Sequence, residues 1–389
     1  MAVTIIADDL TGACDTGALY AGRGPVGVFV APELPGPDWQ AAVVDTETRT
    51  LPATQAARTV RQMAAVMHER LAGRDVFKKI DSTCRGPIAA ELDALVESMG
   101  VQAALVCPAF PAQGRTVVKG HLSVHGVPAH ESAVGHDPDY PGATSSLVDI
   151  LSKGSSLTVS HLPLEEVRGP RDRLWRTVGE RRGLVAADAE TDADLDALAG
   201  AARGHAQVFL AGSAGLARAA AAAAGQVTSA VPLPKPGAWL VVAGSRHPAT
   251  RAQLDVLEAA GIMGVKLDDG SEPDSARVIG EIVAGRPAFV ASGDTPLEDR
   301  VQMAERLAAL VRVILAKTEP SLLVLTGGET AIAVMRALHA RRLELDGAPA
   351  QGLALGHLIA DDCLPLPVLT KAGGFGAPGL LAALAKGHA

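Results

Sequence analysis

Two adjacent acids, Asp8 and Asp9, follow the apolar run VTIIA and precede Thr11-Gly12. A β-branched run that ends in acids and then Thr-Gly reads as a buried strand, a turn and a helix. The carboxyl edge of an open α/β sheet is where ligands bind. Aspartate is a favoured helix N-cap, but one cap takes one aspartate, which leaves the second for chemistry. A complementary set stands in KKIDSTCRG, with Lys78, Lys79, Asp81, Ser82, Thr83 and Arg85, followed by Arg115 and Lys119. Cations at strand ends in an acidic chain suit an anionic small substrate. Arg85 can grip a carboxylate through two parallel hydrogen bonds, while Asp8, Asp9 and Asp81 can accept from substrate hydroxyls. A polyhydroxy acid needs that mixture. For Arg85, a structural ion pair with Asp81 or Glu91 fits the spacing equally well.

The second half carries three glycine-bearing strand ends: Gly244-Ser245, Gly327-Gly328-Glu329-Thr330, and Gly373-Gly374-Phe375-Gly376. Each stands where a helix should begin. Glycine lets backbone N–H groups approach an anion, a helix N-terminus adds partial positive charge, and Ser245 and Thr330 would add hydroxyl donors. Any one such turn is explained by chain reversal alone; three in one half point to a nucleotide. GxxxxGK[ST] and a strand-borne GxGxxG are both missing, as are HRDLxxxN and DFG. The expected nucleotide site is therefore neither P-loop, Rossmann nor protein-kinase in type. His121 and His125 in HLSVH would share a strand face, but no third ligand accompanies them, which argues against zinc. Ser213 in AGSAG lacks the first glycine of a hydrolase elbow and reads as a turn opening its helix.

These residues need strand ends to stand on. Apolar runs alternate with helical patterns through GPVGVFV, AAVVDTETR, VFKKIDST, AALVCPAF, GLVAADAET and AQVFLAGSAG, then again through WLVVAGS, AFVASGDT and LLVLTGGET. That alternation predicts an α/β fold with mostly parallel sheets. The three prolines of VPLPKPG at 231–237 mark a boundary, predicting a substrate domain over 1–230 and a nucleotide domain over 238–389 that face a cleft. The segment 115–140 breaks the pattern and predicts a hairpin or flap; 351–362 predicts a short β excursion, and 217–225 an alanine-rich helix. At 389 residues with 48% apolar and 20% charged residues, the chain is long enough for two cores. A net charge of −8 without a basic block excludes a nucleic-acid footprint. The sequence shows neither an apolar stretch of membrane-spanning length nor a signal-peptide pattern, predicting a cytoplasmic protein with no membrane partner. Cys14, Cys84, Cys107 and Cys363 lack CxxC spacing and read as free thiols.

Taken in order, ADDLTGACDTG, KKIDSTCRGPIAAEL, PAFPAQGRTVVKGHLSVHGVP, AGSAGLA, GSRHPATRAQL, LTGGETA and KAGGFGAPGLL closely resemble the four-carbon acid sugar kinase family along nearly the whole chain. The resemblance implies ATP-dependent phosphorylation of a sugar acid such as threonate, erythronate, a 3-oxo-tetronate or a branched relative, with Mg²⁺ accompanying the ATP. By position it implies ATP contacts at Ser245, Gly327 to Thr330, and Gly373-Gly374, and a substrate side at Asp8, Asp9, Asp81 and Arg85. Cys84 stands where relatives often carry a larger apolar residue, and Glu329 where GGDT is common. For such a reaction Arg85 is expected to anchor the carboxylate, and Asp9, ahead of Asp81, to orient or deprotonate the hydroxyl. Two other classes fit parts of the sequence. IIADDLTG with Asp361-Asp362 resembles haloacid-dehalogenase phosphatases, but no register supplies DxDxT; a two-domain ligand sensor would need no nucleotide site. Subunit number, including homo-oligomerisation, is left open.

Overall fold

A computed structural model describes residues 2–30, 33–70, 73–226, 230–268, 274–293, 300–361 and 364–386, without the side chains of 68–70. Asp362 and Cys363 lie outside the described residues. The chain divides into two compact units, Met1–Pro25 with Phe29–Val227, and Val26–Val28 with Thr228–Ala389. The short run Val26–Val28 thus groups with the second unit although it lies early in the sequence.

The strands through residue 212 are β1 (Val3–Ala7), β2 (Val26–Val30), β3 (Ala41–Asp45), β4 (Asp75–Lys79), β5 (Ala103–Cys107), β6 (Arg115–Val118), β7 (His121–Val124), β8 (Val127–Pro128), β9 (Val159–Leu162), β10 (Gly183–Ala187) and β11 (Val208–Gly212). The helices interleaved with and following them are α1 (Leu10–Ala18), α2 (Ala53–Arg70), α3 (Ile88–Met99), α4 (Leu147–Gly154), α5 (Leu164–Val167), α6 (Arg171–Glu180), α7 (Asp192–Ala202) and α8 (Ala214–Ala223). Within the first unit the order β3-β1-β4-β11-β5-β10-β9 is parallel throughout. Strands β1, β3, β5 and β10 are buried along their whole length. This explains why they read as unbroken apolar runs rather than alternating ones. Local chemistry sets the helix ends: Thr191 and Asp194 form a capping box on α7, and Gly100 closes α3 in the left-handed region. From β1 the chain goes to β3 on one side and later to β4 on the other, which makes the carboxyl end of β1 a topological switch point, the habitual ligand position of such sheets.

The expected hairpin is a three-stranded antiparallel sheet, β6-β7-β8. Its first turn has positive φ at both Lys119 and Gly120, the requirement of a two-residue hairpin loop. The Asp188 carboxylate, fully buried just after β10, accepts both of their N–H groups at 2.8 Å.

The second unit contains β12 (Trp239–Ala243), β13 (Met263–Leu267), β14 (Ala288–Ser292), β15 (Leu322–Thr326), β16 (Ala340–Gly347), β17 (Leu353–Ala360) and β18 (Leu366–Lys371), with helices α9 (Pro248–Ala259), α10 (Ser275–Val283), α11 (Arg300–Leu315), α12 (Gly328–Ala337) and α13 (Leu380–Ala385). Their order is β13-β14-β12-β15-β18-β17-β16, parallel as far as β18 and antiparallel beyond it. The expected excursion at 351–362 is thus an eight-residue strand of the main sheet. Trp239, Phe289, Leu254, Leu257, Leu322, Leu369 and Leu381 form its core; burying each such side chain is worth about 1.5–3 kcal/mol. The glycine turns do not all begin helices, contrary to their spacing in the sequence. Of the three glycine turns, only Gly327-Gly328 opens a helix directly, since α9 begins at Pro248 and α13 at Leu380. Proline at the first helical position, with the His247 ring capping Ala249 N–H, moves the α9 start beyond Ser245.

Candidate active site

At the switch point of the first unit, the carboxyl ends of β1, β3 and β4 deliver Asp8 and Asp9, Arg49, and Asp81 to one place. Arg49 joins them. Its Nε and Nη2 donate to the two oxygens of Asp8 at 3.1 and 2.8 Å, Nη2 also donates to Asp9 Oδ1 at 2.7 Å, and Nη1 lies 4.0 Å from Asp81 Oδ1. Asp9 is the N-cap of α1, accepting from Gly12 N–H at 3.1 Å and from the Thr11 hydroxyl at 2.7 Å. A Cβ on Gly12 would stand 2.5 Å from Asp9 Oδ1 and 2.7 Å from Lys79 Nζ, so the position has no room for a side chain. Lys79 Nζ donates to Ile80 O at 3.0 Å. Strand alternation turns Lys78 the other way, into a fully buried ion pair with Glu91 of α3 at 2.5 Å.

Asp81 holds a tight turn. Its Oδ2 accepts from Thr83 N–H at 3.0 Å, from the Thr83 hydroxyl and from Arg85 Nε at 3.0 Å, while Oδ1 accepts from Arg85 Nη2 at 2.8 Å. Arg85 Nη1 reaches Asp137 at 3.1 Å. Cys84, in the same turn, has positive φ and is buried, and burial pushes its thiol well above the ordinary range. Burial also works against the Asp9 and Asp81 carboxylates, but neighbouring charge outweighs it. Arg49 and Lys79, with the Thr11 hydroxyl, hold Asp9 below its usual value, and Arg85 and Arg49 hold Asp81 well below. The opposite holds at Asp45, at the end of β3, where burial and the neighbouring Glu47 and Asp9 raise the carboxyl well above its usual value.

Asp8, Asp9, Asp81, Arg85, Lys79 and Arg115 are brought into one cluster, but several do different work from that expected. Asp8 is only 2% exposed with both oxygens on Arg49. It is therefore neither an open acceptor for a hydroxyl nor a free nucleophile of the phosphatase kind. Arg85 takes the ion-pair alternative, on Asp81 and Asp137. Asp9 Oδ2 accepts only from Thr11 among the described residues and keeps a lone pair. Ser213 caps α8 and donates to Ala109 O at 2.6 Å. Sequence reasoning missed Arg49; its signal is an arginine four residues beyond the acid that ends β3, in DTETR. The described residues hold no group of three or more His, Cys, Asp or Glu fit for a metal, and Cys14, Cys84 and Cys107 are buried and form no disulfide. Among the described residues no helix is long and apolar enough to cross a membrane.

In the second unit the three glycine turns converge at the carboxyl edge, beside the switch from β12 to β15. A Cβ on Gly244 would lie 2.0 Å from Thr330 Oγ1, one on Gly373 2.2 Å from Ser245 Oγ, one on Gly327 3.3 Å from Ser245 Cβ, and one on Gly374 3.2 Å from the His247 ring. Gly327 has φ 97° and donates its N–H to Lys371 O at 3.1 Å. The N–H groups of Gly328, Glu329 and Thr330 form the first turn of α12, where helix geometry leaves donors without intrahelical partners. Lys371 at the end of β18 is fully buried, and its Nζ donates to Ala372 O at 2.8 Å and Phe375 O at 3.0 Å. Its carbonyl-facing position beneath the loop turns the Gly373-Gly374 segment around it, and burial lowers its pKa to about 7. Thr250 fixes the same loop by donating to Gly373 O at 2.6 Å.

A family model described as a sugar-binding N-terminal domain matches residues 3–220, and one described as a nucleotide-binding C-terminal domain matches residues 240–381. The D-threonate kinase of Salmonella typhimurium is 32% identical, with 98% of this chain and 97% of that protein covered. The chain belongs to the four-carbon acid sugar kinase family. A second relative, the 3-oxo-tetronate kinase of Pseudomonas fluorescens, is 32% identical over 95% of this chain and 93% of its own. A crystal structure from Salmonella typhimurium LT2, described as a candidate tRNA synthase, matches with TM-score 0.81 over 98% of each chain at 21% identity; this likeness speaks for the α/β fold alone. Within the sugar acid kinase family, the acid and guanidinium cluster falls in the sugar-binding match and the glycine cradle in the nucleotide-binding match.

Proposed function

We propose that this chain transfers the γ-phosphoryl group of ATP to a hydroxyl of a four-carbon sugar acid, with threonate, erythronate and 3-oxo-tetronate as the first candidates. The observation that carries the reading is the convergence of Gly244-Ser245, Gly327 to Thr330 and Gly373-Gly374 around the N-terminus of α12. Main-chain donors and two hydroxyls gathered there suit phosphate oxygens. Phosphoryl transfer asks the protein mainly for positioning and charge neutralisation, because its transition state is loose. Asp9 fits the orienting role: Arg49 and Lys79 keep it ionised at neutral pH, and its Oδ2 lone pair accepts a hydrogen bond from the attacking hydroxyl. With its affinity for a proton lowered, it aligns the hydroxyl and takes the proton only as the new P–O bond forms. Asp81 is filled by Thr83 and Arg85 and acts as a scaffold.

Mg²⁺ fits as an ion carried chiefly by phosphates and water, the usual habit of Mg²⁺ beside nucleotides. Glu329, in the first turn of α12, is half-buried and has no hydrogen bond or ion pair among the described residues. A lone carboxylate beside a polyphosphate site is repulsive without a cation, and with one it supplies a ligand or holds a ligated water. The bound ion would neutralise phosphate charge. The reading places the protein in the cytoplasm, where ATP is available.

The test is coupled ADP detection on the purified chain with a panel of four-carbon acids, their 3-oxo forms and branched relatives, alongside phosphate release from phospho-sugars. ADP release that depends on an acid is expected. Phosphate release from a phospho-sugar without ATP, or no turnover on any acid together with no nucleotide binding, would overturn the reading.

A further inference from the structure

We infer that Arg115, and not Arg85, receives the carboxylate of the substrate, an inference that rests on the first unit being the acid-binding one. Three guanidinium groups stand in this cluster. Arg49 is matched by Asp8 and Asp9, and Arg85 by Asp81 and Asp137, each with N–O distances of 2.7–3.1 Å. Arg115 alone has no carboxylate within 4 Å among the described residues. Its Nη1 turns back to the carbonyl and side-chain oxygen of Gln113, and its buried Nε has no hydrogen-bond partner among the described residues. An unmatched buried donor on a cation costs free energy, and a fold tolerates such a group where a ligand completes it.

Arg115 is also firmly placed. It exchanges backbone hydrogen bonds with Phe110 at 2.8 and 3.1 Å, which joins the start of β6 to the chain leaving β5. The rest of that hairpin is held by Asp188 through the Lys119-Gly120 turn. The guanidinium lies within electrostatic reach of both Asp81 and Arg85. The other cations are less suited: Lys78 belongs to Glu91, Lys79 bonds Ile80 O beside Asp9, and Lys119 is exposed on the hairpin turn. A carboxylate bound by the Arg115 fork would satisfy the stranded Nε and leave the carbon chain and its hydroxyls to extend toward Asp9. This makes Arg115 the residue that separates sugar acids from neutral polyols of the same length.

The experiment compares R115Q, R115K and R85Q in the full chain, measuring kcat/KM for D-threonate and D-erythronate against the neutral tetritols threitol and erythritol, together with urea stability. R115Q is expected to lower kcat/KM for the acids 10- to 100-fold, the range for a lost charge-assisted hydrogen-bond pair, to lower it less for the tetritols so that the acid-to-tetritol ratio falls, and to leave stability undiminished. R115K, which keeps the charge but not the fork, is expected to lose less and serves as the readout should R115Q fold poorly. R85Q is expected to lower stability and to depress acids and tetritols alike. An R115Q and R115K pair that keeps the acid preference of the wild type, or an R85Q that loses acids selectively, overturns the inference alone. A wild-type chain inactive on every acid overturns the functional reading and this inference with it.

Discussion

Replacing Arg49 by methionine tests the electrostatic centre of the first unit. The substitution keeps much of the apolar stem but removes the cation that donates to Asp8 at 3.1 and 2.8 Å and to Asp9 at 2.7 Å. Asp8 is 2% exposed, so water cannot replace the lost donors without opening the site. Breaking one side of a buried ion pair typically costs about 3–5 kcal/mol, because the remaining charge is left uncompensated. We expect R49M to destabilise the first unit by that amount at pH 7. D8N in the same background should restore about 1–3 kcal/mol by removing the stranded charge. The sign with pH follows from the depressed carboxyls of Asp9 and Asp81. Their contribution is present above the unfolded-state pKa, near 4, and is lost as pH falls through the lower folded values. Without Arg49 the folded values rise toward the unfolded one, so the difference between the two states narrows and the stability that is lost on acidification shrinks. Urea unfolding from pH 3 to 8, followed by tryptophan fluorescence, reads this, since Trp39 and Trp175 lie in the first unit. An R49M variant within about 1 kcal/mol of wild type, or no recovery by D8N, would refute the assignment of Arg49 as the group that makes this carboxylate cluster tolerable.

Further outcomes are expected. D9N should cut kcat by about 10²–10⁴-fold, the range for a group acting on the transferred proton, with the KM for ATP little changed; unaltered turnover in the coupled assay would remove Asp9 from that role. G373A should raise the KM for ATP at least about tenfold, because the new Cβ would lie 2.2 Å from Ser245 Oγ and must displace the cradle; nucleotide titration checks it, and an unchanged KM would count against a phosphate site there. Lys371 has a folded pKa of about 7 against an ordinary 10.5. Between those values the unfolded chain holds a proton that the folded chain lacks, so stability of the second unit should rise with pH at up to about 1.4 kcal/mol per unit. In K371M that slope should vanish, as urea titrations at pH 7 to 10 would reveal.

Much of the architecture is legible in the residues. The apolar runs at β1, β3, β5 and β10 are strands buried on both faces, the break at 115–140 is the β6-β7-β8 hairpin, and the acids and glycine turns stand at carboxyl strand edges. Other features were hidden by the limits of local pattern. Residues 351–362 show no helical period and only a weak strand signal, yet β17 is paired along both edges, and pairing partners are not written locally. Likewise the α9 start beyond Ser245 is fixed by Pro248 and His247, a capping arrangement that competes with the glycine for the turn.

The sequence by itself determined which residue types are available: paired acids after the first strand, cations after the fourth, and three glycine turns in the second half. These follow from spacing of two and 3.6 residues along a single segment, which short-range sterics impose. Only the tertiary structure decided how the charges pair. Arg49 lies about forty residues from Asp8 and Asp9 and meets them because parallel pairing sets Ala7 beside Asp45. That contact converts Asp8 from a free acceptor into half of an ion pair; Arg85 pairs locally with Asp81 and across the fold with Asp137, and among the described residues Arg115 is the guanidinium of the cluster that no acid matches. Charge pairing depends on distance in space as 1/r, and distance in space is what a parallel crossover rearranges.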